Sequence, residues 1–212
     1  MADPHDARLD AAAGVRSLAH SLTAHEADEA ALADIRDFTA RMVERLQATP
    51  RRERIIPAFG DGVVLTPDPK RRHPMDDRGV AGPANPTAVE LEARREGDEV
   101  IADVCFGAAF EGAPGRVHGG MVAAVFDDLL GYVLAMVGEP GFTGQLTVTY
   151  RAPVPTERPV EFRARFRARE RRKLYAVADA HLGDTVLATA EATFILVAPE
   201  KWSKHARELL GD

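Results

Sequence analysis

GRVHGGMVAAVFDDLLG, residues 115–131, sets a histidine and two glycines at the mouth of an apolar helix and two acids inside it. An ionised carboxylate in apolar surroundings is costly unless it is paired, hydrogen-bonded or used. Gly119 and Gly120 follow His118 where the helix begins, so backbone N–H groups lacking an intrahelical acceptor, and the positive end of the helix dipole, face any anion or developing oxyanion there. Absent side chains let a ligand come close. Steps of three or four residues lead from Gly120 through Ala123 and Ala124 to Asp127 and Gly131, which therefore share one face, small everywhere except at the acid. Asp128 instead shares its stripe with Met121, Val125 and Tyr132. Asp127 is the candidate working acid.

The helix is expected over residues 119–137, and because it is apolar on nearly every face it must be wrapped rather than laid on a surface. What surrounds it in sequence is β-patterned. TAVELEAR and EVIADVCF precede it as two strands joined at REGD, and QLTVTYRA, PVEFRARFRAR, KLYAVADAHL and TVLATAEATFILV follow. In the second of these four, Val160, Phe162, Ala164, Phe166 and Ala168 fall on one side and Glu161, Arg163, Arg165, Arg167 and Arg169 on the other, which gives one buried and one wet face. Gly97–Asp98 and Gly183–Asp184 suit tight hairpin turns, so the strands are expected to pair antiparallel. Strand, strand, long helix and four strands predict an α+β domain over 86–199, a curved antiparallel six-stranded sheet folded around the central helix.

Residues 1–50 read as a helical extension, two helices broken near Leu22–His25, with Leu32, Ile35, Phe38, Met42, Val43 and Leu46 at helical spacing as an amphipathic cap or oligomer contact. Residues 51–85, rich in Pro, Gly and charge, read as an irregular linker with one short strand at 62–65, and residues 200–212 as a tail.

Net charge is −6, from 27 basic and 33 acidic residues, which argues against general nucleic-acid binding. The single cysteine, Cys105, excludes an internal disulfide, fits a reducing compartment and reads as an inert core thiol. The acidic amino terminus resembles neither a secretory signal nor a transit peptide, and the longest apolar run, broken by two aspartates, falls short of the ~20 residues a bilayer needs. A cytoplasmic protein with no membrane span is expected. No second His or Cys lies at ligand spacing from His118, so no metal is expected. There is neither a Gly-x-Ser-x-Gly nucleophile elbow nor a phosphate-binding P-loop.

FEGAPGRVHGGMVAAVFDD followed by FTGQLTVTYRAPVP, with an acid nine positions after the histidine, a threonine sixteen beyond that acid and a strand ending in Tyr-Arg-Ala-Pro, resembles the hotdog-fold acyl-CoA thioesterases. The subgroup is that of the carboxyl-terminal modulator protein and the phenylacetyl-CoA-type enzymes, and the resemblance covers residues 86–198. It implies Asp127 as the general base that activates water or as the nucleophile, the Gly119 N–H as oxyanion donor, His118 beside the thioester, and Thr143 on the lytic water or on Asp127. It also implies a homodimer or dimer of dimers with the site at the interface, since the glycine and the acid of such enzymes come from different protomers. Glu111 and Gly112 stand where many bacterial relatives carry Asn or Gln, and the EGAPG form resembles the subgroup acting on longer fatty acyl chains. Gly120 lies against the substrate in this reading, and Arg171, Arg172 and Lys173 would receive the nucleotide of coenzyme A, which enters as part of the substrate rather than as a cofactor. The strand arginines Arg163 and Arg165 read rather as a solvated face pairing with Asp179 or Glu191, and the turn cluster reads equally as such a face. Two other functions fit the same fold: a non-catalytic acyl-CoA sensor, and a hydratase or dehydratase.

Overall fold

The computed structural model describes residues 4–52 and 76–210, so the strand expected at 62–65 lies outside the described residues. Helices α1 (Pro4–Ala24) and α2 (Glu29–Gln47) come first, then β1 (Glu90–Glu96) and β2 (Glu99–Cys105). A 3₁₀ turn at Ala108–Phe110 leads through the short pair β3 (Glu111–Ala113) and β4 (Arg116–Val117) into α3 (Gly119–Val137). Strands β5 (Gly141–Tyr150), β6 (Pro159–Glu170), β7 (Lys173–Leu182) and β8 (Thr185–Leu196) and helix α4 (Pro199–Leu210) complete the chain.

Six strands form one antiparallel sheet in the order β1-β2-β6-β7-β8-β5. Both expected hairpins are present, with positive φ at Gly97 and Gly183, where a residue without Cβ turns the chain at least cost. Inward residues at alternate positions, among them Val100, Val104, Phe162, Ala178 and Phe194, meet Val125, Phe126, Leu129 and Val133 of α3 in one core. Phe126 lies edge-on to Phe162 with ring centroids 5.0 Å apart. This is the wrapped-helix architecture that the hotdog resemblance implies. By length and composition α3 is apolar enough to cross a membrane, yet 56% of its apolar window is buried inside the protein.

Two strand positions differ from expectation. The β6–β7 register shifts between Phe166 and Ala168, which makes Arg167 the extra residue and turns Ala168, expected on the core side, outward opposite Tyr175, while Phe166 keeps its core-side register opposite the buried Ala176 although it is 43% exposed. A bulge rotates one residue out of the alternation, which periodicity alone cannot foresee. Cys105, expected inside, ends β2 on the outward side, and its thiol is pushed up first by partial desolvation and then by Glu90 and Glu157, so it is weakly nucleophilic although exposed.

The amino-terminal helices behave differently from each other. Helix α1 is tied to the sheet domain: Arg16 donates to the carbonyls of Pro83 at 3.0 Å and Asn85 at 2.8 Å, and His20 Nδ1 accepts the Ala109 N–H at 3.0 Å. Helix α2, capped by Asp28, buries no residue, and Leu32, Phe38, Val43 and Leu46 are exposed. Residues 199–210, expected as a tail, form α4, whose Trp202 ring lies 4.7 Å from Phe142.

Candidate active site

His118 caps α3, and its Nδ1 accepts the Gly120 N–H at 3.0 Å. That bond requires an unprotonated Nδ1, so the neutral ring carries its proton on Nε2. The His118 carbonyl takes the N–H groups of Met121 and Val122. In the first turn this leaves the Gly119 N–H, which meets no acceptor among the described residues. The Gly119 carbonyl accepts the Tyr150 hydroxyl at 2.6 Å, and the Tyr150 ring stands 3.3 Å from where a Gly119 Cβ would be. The peptide between Gly119 and Gly120 is thus held on both sides, by Tyr150 at its carbonyl and by His118 at its N–H. The preceding N–H faces a cleft of about 510 Å³.

Asp127 is exposed, and Thr143 donates its hydroxyl to Asp127 Oδ1 at 2.9 Å. The contact depends on a bulge: Thr143 pairs with Phe194 and Gln145 with Thr193, so Gly144 is an extra residue in β5. A Cβ at Gly144 would stand 2.9 Å from Ile195 Cγ1 and 3.2 Å from the Thr193 carbonyl, so the bulge that aims Thr143 at the helix needs glycine.

The second acid is sealed. Asp128 is 7% exposed, and its Oδ1 lies 2.5 Å from Arg78 Nη2, supplied by the segment before β1. Arg78 also lies over the Tyr132 ring, 5.1 Å from its centroid, and 3.2 Å from where a Gly131 Cβ would be. Burial pushes the Asp128 carboxyl above its ordinary range, Arg78 pulls it back, and Asp127 adds to the rise. Gly131 therefore faces a guanidinium, and the open part of the small-residue stripe ends near Asp127. Arg78 escaped the sequence reading because only the fold brings it to the helix. An unexplained Asp inside an apolar helix was the signal that such a partner exists.

The remaining candidates lie elsewhere. Arg171, Arg172 and Lys173 occupy the β6–β7 turn, where Arg172 Nε donates to the Leu196 carbonyl at 3.3 Å and the adjacent Arg169 pairs with Glu139 just beyond the end of α3. His118 is at the other end of that helix, roughly 28 Å away at 1.5 Å per residue. The strand arginines form the solvated face: Arg165 reaches Asp179 at 2.9 Å, Arg167 reaches Glu191 at 3.4 Å, and Arg163 pairs with Glu161. His181 Nε2 donates to Asp179 Oδ2 at 2.6 Å on that same face. Among the described residues no cluster of His, Cys, Asp and Glu could hold a metal.

Asp127 and Gly119 stand eight positions apart on one helix, about 12 Å along its axis. A carboxylate and an oxyanion donor acting on one carbonyl, even through a water, must be closer than that. Strand β5 ends the sheet, and its backbone edge is open among the described strands.

Residues 114–189 match the family described as Thioesterase superfamily. The chain is 33% identical over 97 residues to the mouse acyl-coenzyme A thioesterase THEM4, covering 45% of this chain and 42% of that protein. It is 31% identical over 99 residues to human acyl-coenzyme A thioesterase THEM5, covering 46% and 40%. The match thus spans less than half the length of these curated relatives. A crystal structure described as a thioesterase superfamily protein superposes with a TM-score of 0.75 at 25% identity over 89% of this chain and 94% of that one.

Proposed function

We propose, for a chain whose residues 114–189 match the thioesterase superfamily, that it hydrolyses the thioester of an acyl-CoA to a free acid and coenzyme A. The observation that carries this reading is the Thr143 hydroxyl on the exposed Asp127 carboxylate, an accessible acid oriented on a helix whose first N–H is open.

In the base route Asp127 takes a proton from water, and the hydroxide attacks the carbonyl carbon. The oxyanion accepts the Gly119 N–H, a type of contact whose loss costs about 10² to 10³ in rate. Collapse expels the thiolate, which takes up a proton and leaves as coenzyme A. In the nucleophilic route Asp127 attacks the carbonyl carbon directly, the C–S bond breaks to release the coenzyme A thiolate, which takes up a proton, and water cleaves the resulting anhydride to the free acid and the regenerated Asp127. His118, with Nε2–H as its donor, lies beside the carbonyl in either case, and Gly120 gives the ligand room.

The 12 Å between acid and donor supports a site completed by a second copy. A two-fold joining the open β5 edges would set the two α3 helices antiparallel, so that Asp127 of one protomer meets Gly119 of its partner. The same two-fold would bring Arg171, Arg172 and Lys173 from beyond the end of one helix towards the partner's His118, where the phosphates of coenzyme A need cations. A homodimer or dimer of dimers acting on medium or long fatty acyl-CoA in the cytoplasm is the reading in full. A non-catalytic acyl-CoA sensor is the second reading, favoured by the exposed apolar side of α2, which has no part in hydrolysis.

The test is thiol release from short, aromatic and long-chain acyl-CoAs by the wild type and Asp127→Asn. Turnover that falls about 10²-fold or more in the variant supports the hydrolase. Tight binding of acyl-CoA with no turnover by either protein would select the sensor.

A further inference from the structure

The cleft beside Gly119 carries a charge pattern that hydrolysis of the thioester leaves unused. Its walls are apolar at Val117, Val122 and Val154, its cations are Arg116 and Arg151, and no Asp or Glu lines it, although the chain holds 33 acids against 27 bases. Most of the sheet's arginines are occupied by acids, as in Arg94 with Asp103, Arg165 with Asp179 and Arg167 with Glu191. Arg116 and Arg151 are exposed, and among the described residues neither has a carboxylate at ion-pair distance. Glu111, the acid nearest Arg116 in sequence, turns its carboxylate to the Gly115 N–H instead, at 2.8 Å.

Both cations stand on secured backbone. Arg116 lies in β4 two residues before His118 and on the same side of the chain, because the intervening Val117 is buried with its N–H on the Val154 carbonyl at 2.9 Å. Arg116 also bridges to Pro155. Arg151 follows the last residue of β5, and the Leu187 carbonyl holds its N–H at 2.8 Å. Two strand ends therefore deliver two guanidinium groups to the cleft that contains the Gly119 N–H.

We propose that Arg116 and Arg151 form an oxyanion subsite that selects substrates by a second negative group bound near the thioester. The proposal rests on the thioester reading and, where the guest is a carboxylate, replaces its fatty acyl group with an anionic one. A guanidinium fork grips phosphate and carboxylate alike, and it resists desolvation less than an ammonium does. The oxyanion has two sources on an acyl-CoA, the phosphates of the coenzyme or a terminal carboxylate on a dicarboxylic acyl group. Arg116 and Arg151 line the same cleft as Gly119, which keeps the anion near the carbonyl, whereas the whole pantetheine arm separates sulfur from pyrophosphate, and this favours the carboxylate.

Calorimetry on the Asp127→Asn full-length protein, with and without Arg116→Gln and Arg151→Gln, measures binding without turnover. Pentanoyl-CoA, glutaryl-CoA, coenzyme A and pantetheine are the ligands. If the carboxylate is the guest, the double glutamine change weakens glutaryl-CoA about tenfold or more relative to pentanoyl-CoA, the loss expected for one charged hydrogen bond. If phosphate is the guest, coenzyme A and both thioesters weaken together about tenfold while pantetheine is unaffected. Unchanged affinity for all four ligands overturns the subsite. Should no coenzyme A ligand bind the protein with both arginines, the thioester reading itself fails. Free glutarate and inorganic pyrophosphate then decide the subsite: saturable binding lost on the glutamine changes upholds it, and binding of neither overturns it. Both arginines are exposed, and matching thermal melts verify that the changes leave the fold intact.

Discussion

Asp127 and Asp128 are neighbours in sequence, one turn-step apart on α3, and the fold gives them opposite environments. Asp127 faces outward and holds only the Thr143 hydroxyl, which leaves its carboxylate oriented and accessible. Asp128 faces the segment before β1, where Arg78 and the Tyr132 ring shut it from water. A helix turns about 100° per residue, so adjacent side chains cannot share a face. One residue is left open to solvent, and the next fastens the segment before β1 to the central helix through Arg78. The lesson is that two acids in an apolar helix need two separate explanations.

The largest effect should fall on the sealed side. Arg78→Ala strands a buried carboxylate, and chemical denaturation should register a loss of about 3 to 5 kcal/mol. Replacing both partners, as Arg78→Met with Asp128→Leu, should recover most of it. If the single change is as mild as the double, Asp128 is not held as an ion pair and the contrast with Asp127 collapses.

On the open side, Asp127→Asn should lower kcat by about 10² or more while leaving the melting temperature nearly unchanged. A divided site sharpens this. Gly119→Pro removes the N–H at a helix position that tolerates proline, with the Tyr150 ring, 3.3 Å from the new Cβ, giving way by a few tenths of an ångström. Co-expressed with Asp127→Asn, it should give mixed dimers and about a quarter of wild-type activity, as random pairing of two defective chains predicts. No recovery would place acid and donor in one chain, against the 12 Å helical separation. Thr143→Val should cost about tenfold or more in kcat by removing one hydrogen bond to a charged group.

The smallest effect is a pH dependence. Because the folded Asp128 holds its proton to higher pH than an unfolded carboxyl, near 4, folding takes up a proton between the two values. This contribution is fully present below about pH 4 and is lost as pH rises through the raised folded value. The stability of the wild type relative to Asp128→Asn should therefore improve as pH falls towards 4 from neutrality. Thermal melts of both proteins across that range measure it, and a gap independent of pH would mean that Asp128 titrates as a solvated acid does.

Much of this was legible because it depends on local periodicity. A 19-residue helix apolar on nearly all sides, strands alternating with period two, and glycine at Gly97 and Gly183 require a wrapped helix, a half-wet sheet and tight hairpins. The His-Gly-Gly helix mouth and the spacing to Asp127 marked out the candidate site for the same reason, since residues within a few turns of one helix have fixed relations. Thr143, named by the resemblance as a partner of Asp127, and Arg78 and Tyr150, given no role by any pattern, depend on tertiary contacts. Thr143 reaches Asp127 through a bulge that packing against Ile195 dictates, Arg78 reaches Asp128 across fifty positions, and Tyr150 meets Gly119 only because β5 returns past the start of α3. The sequence by itself determined which acids needed explaining and which elements carried them. Only the tertiary structure decided which acid is open and which is sealed, because burial depends on partners that chain closure brings from far away, and no local pattern records them.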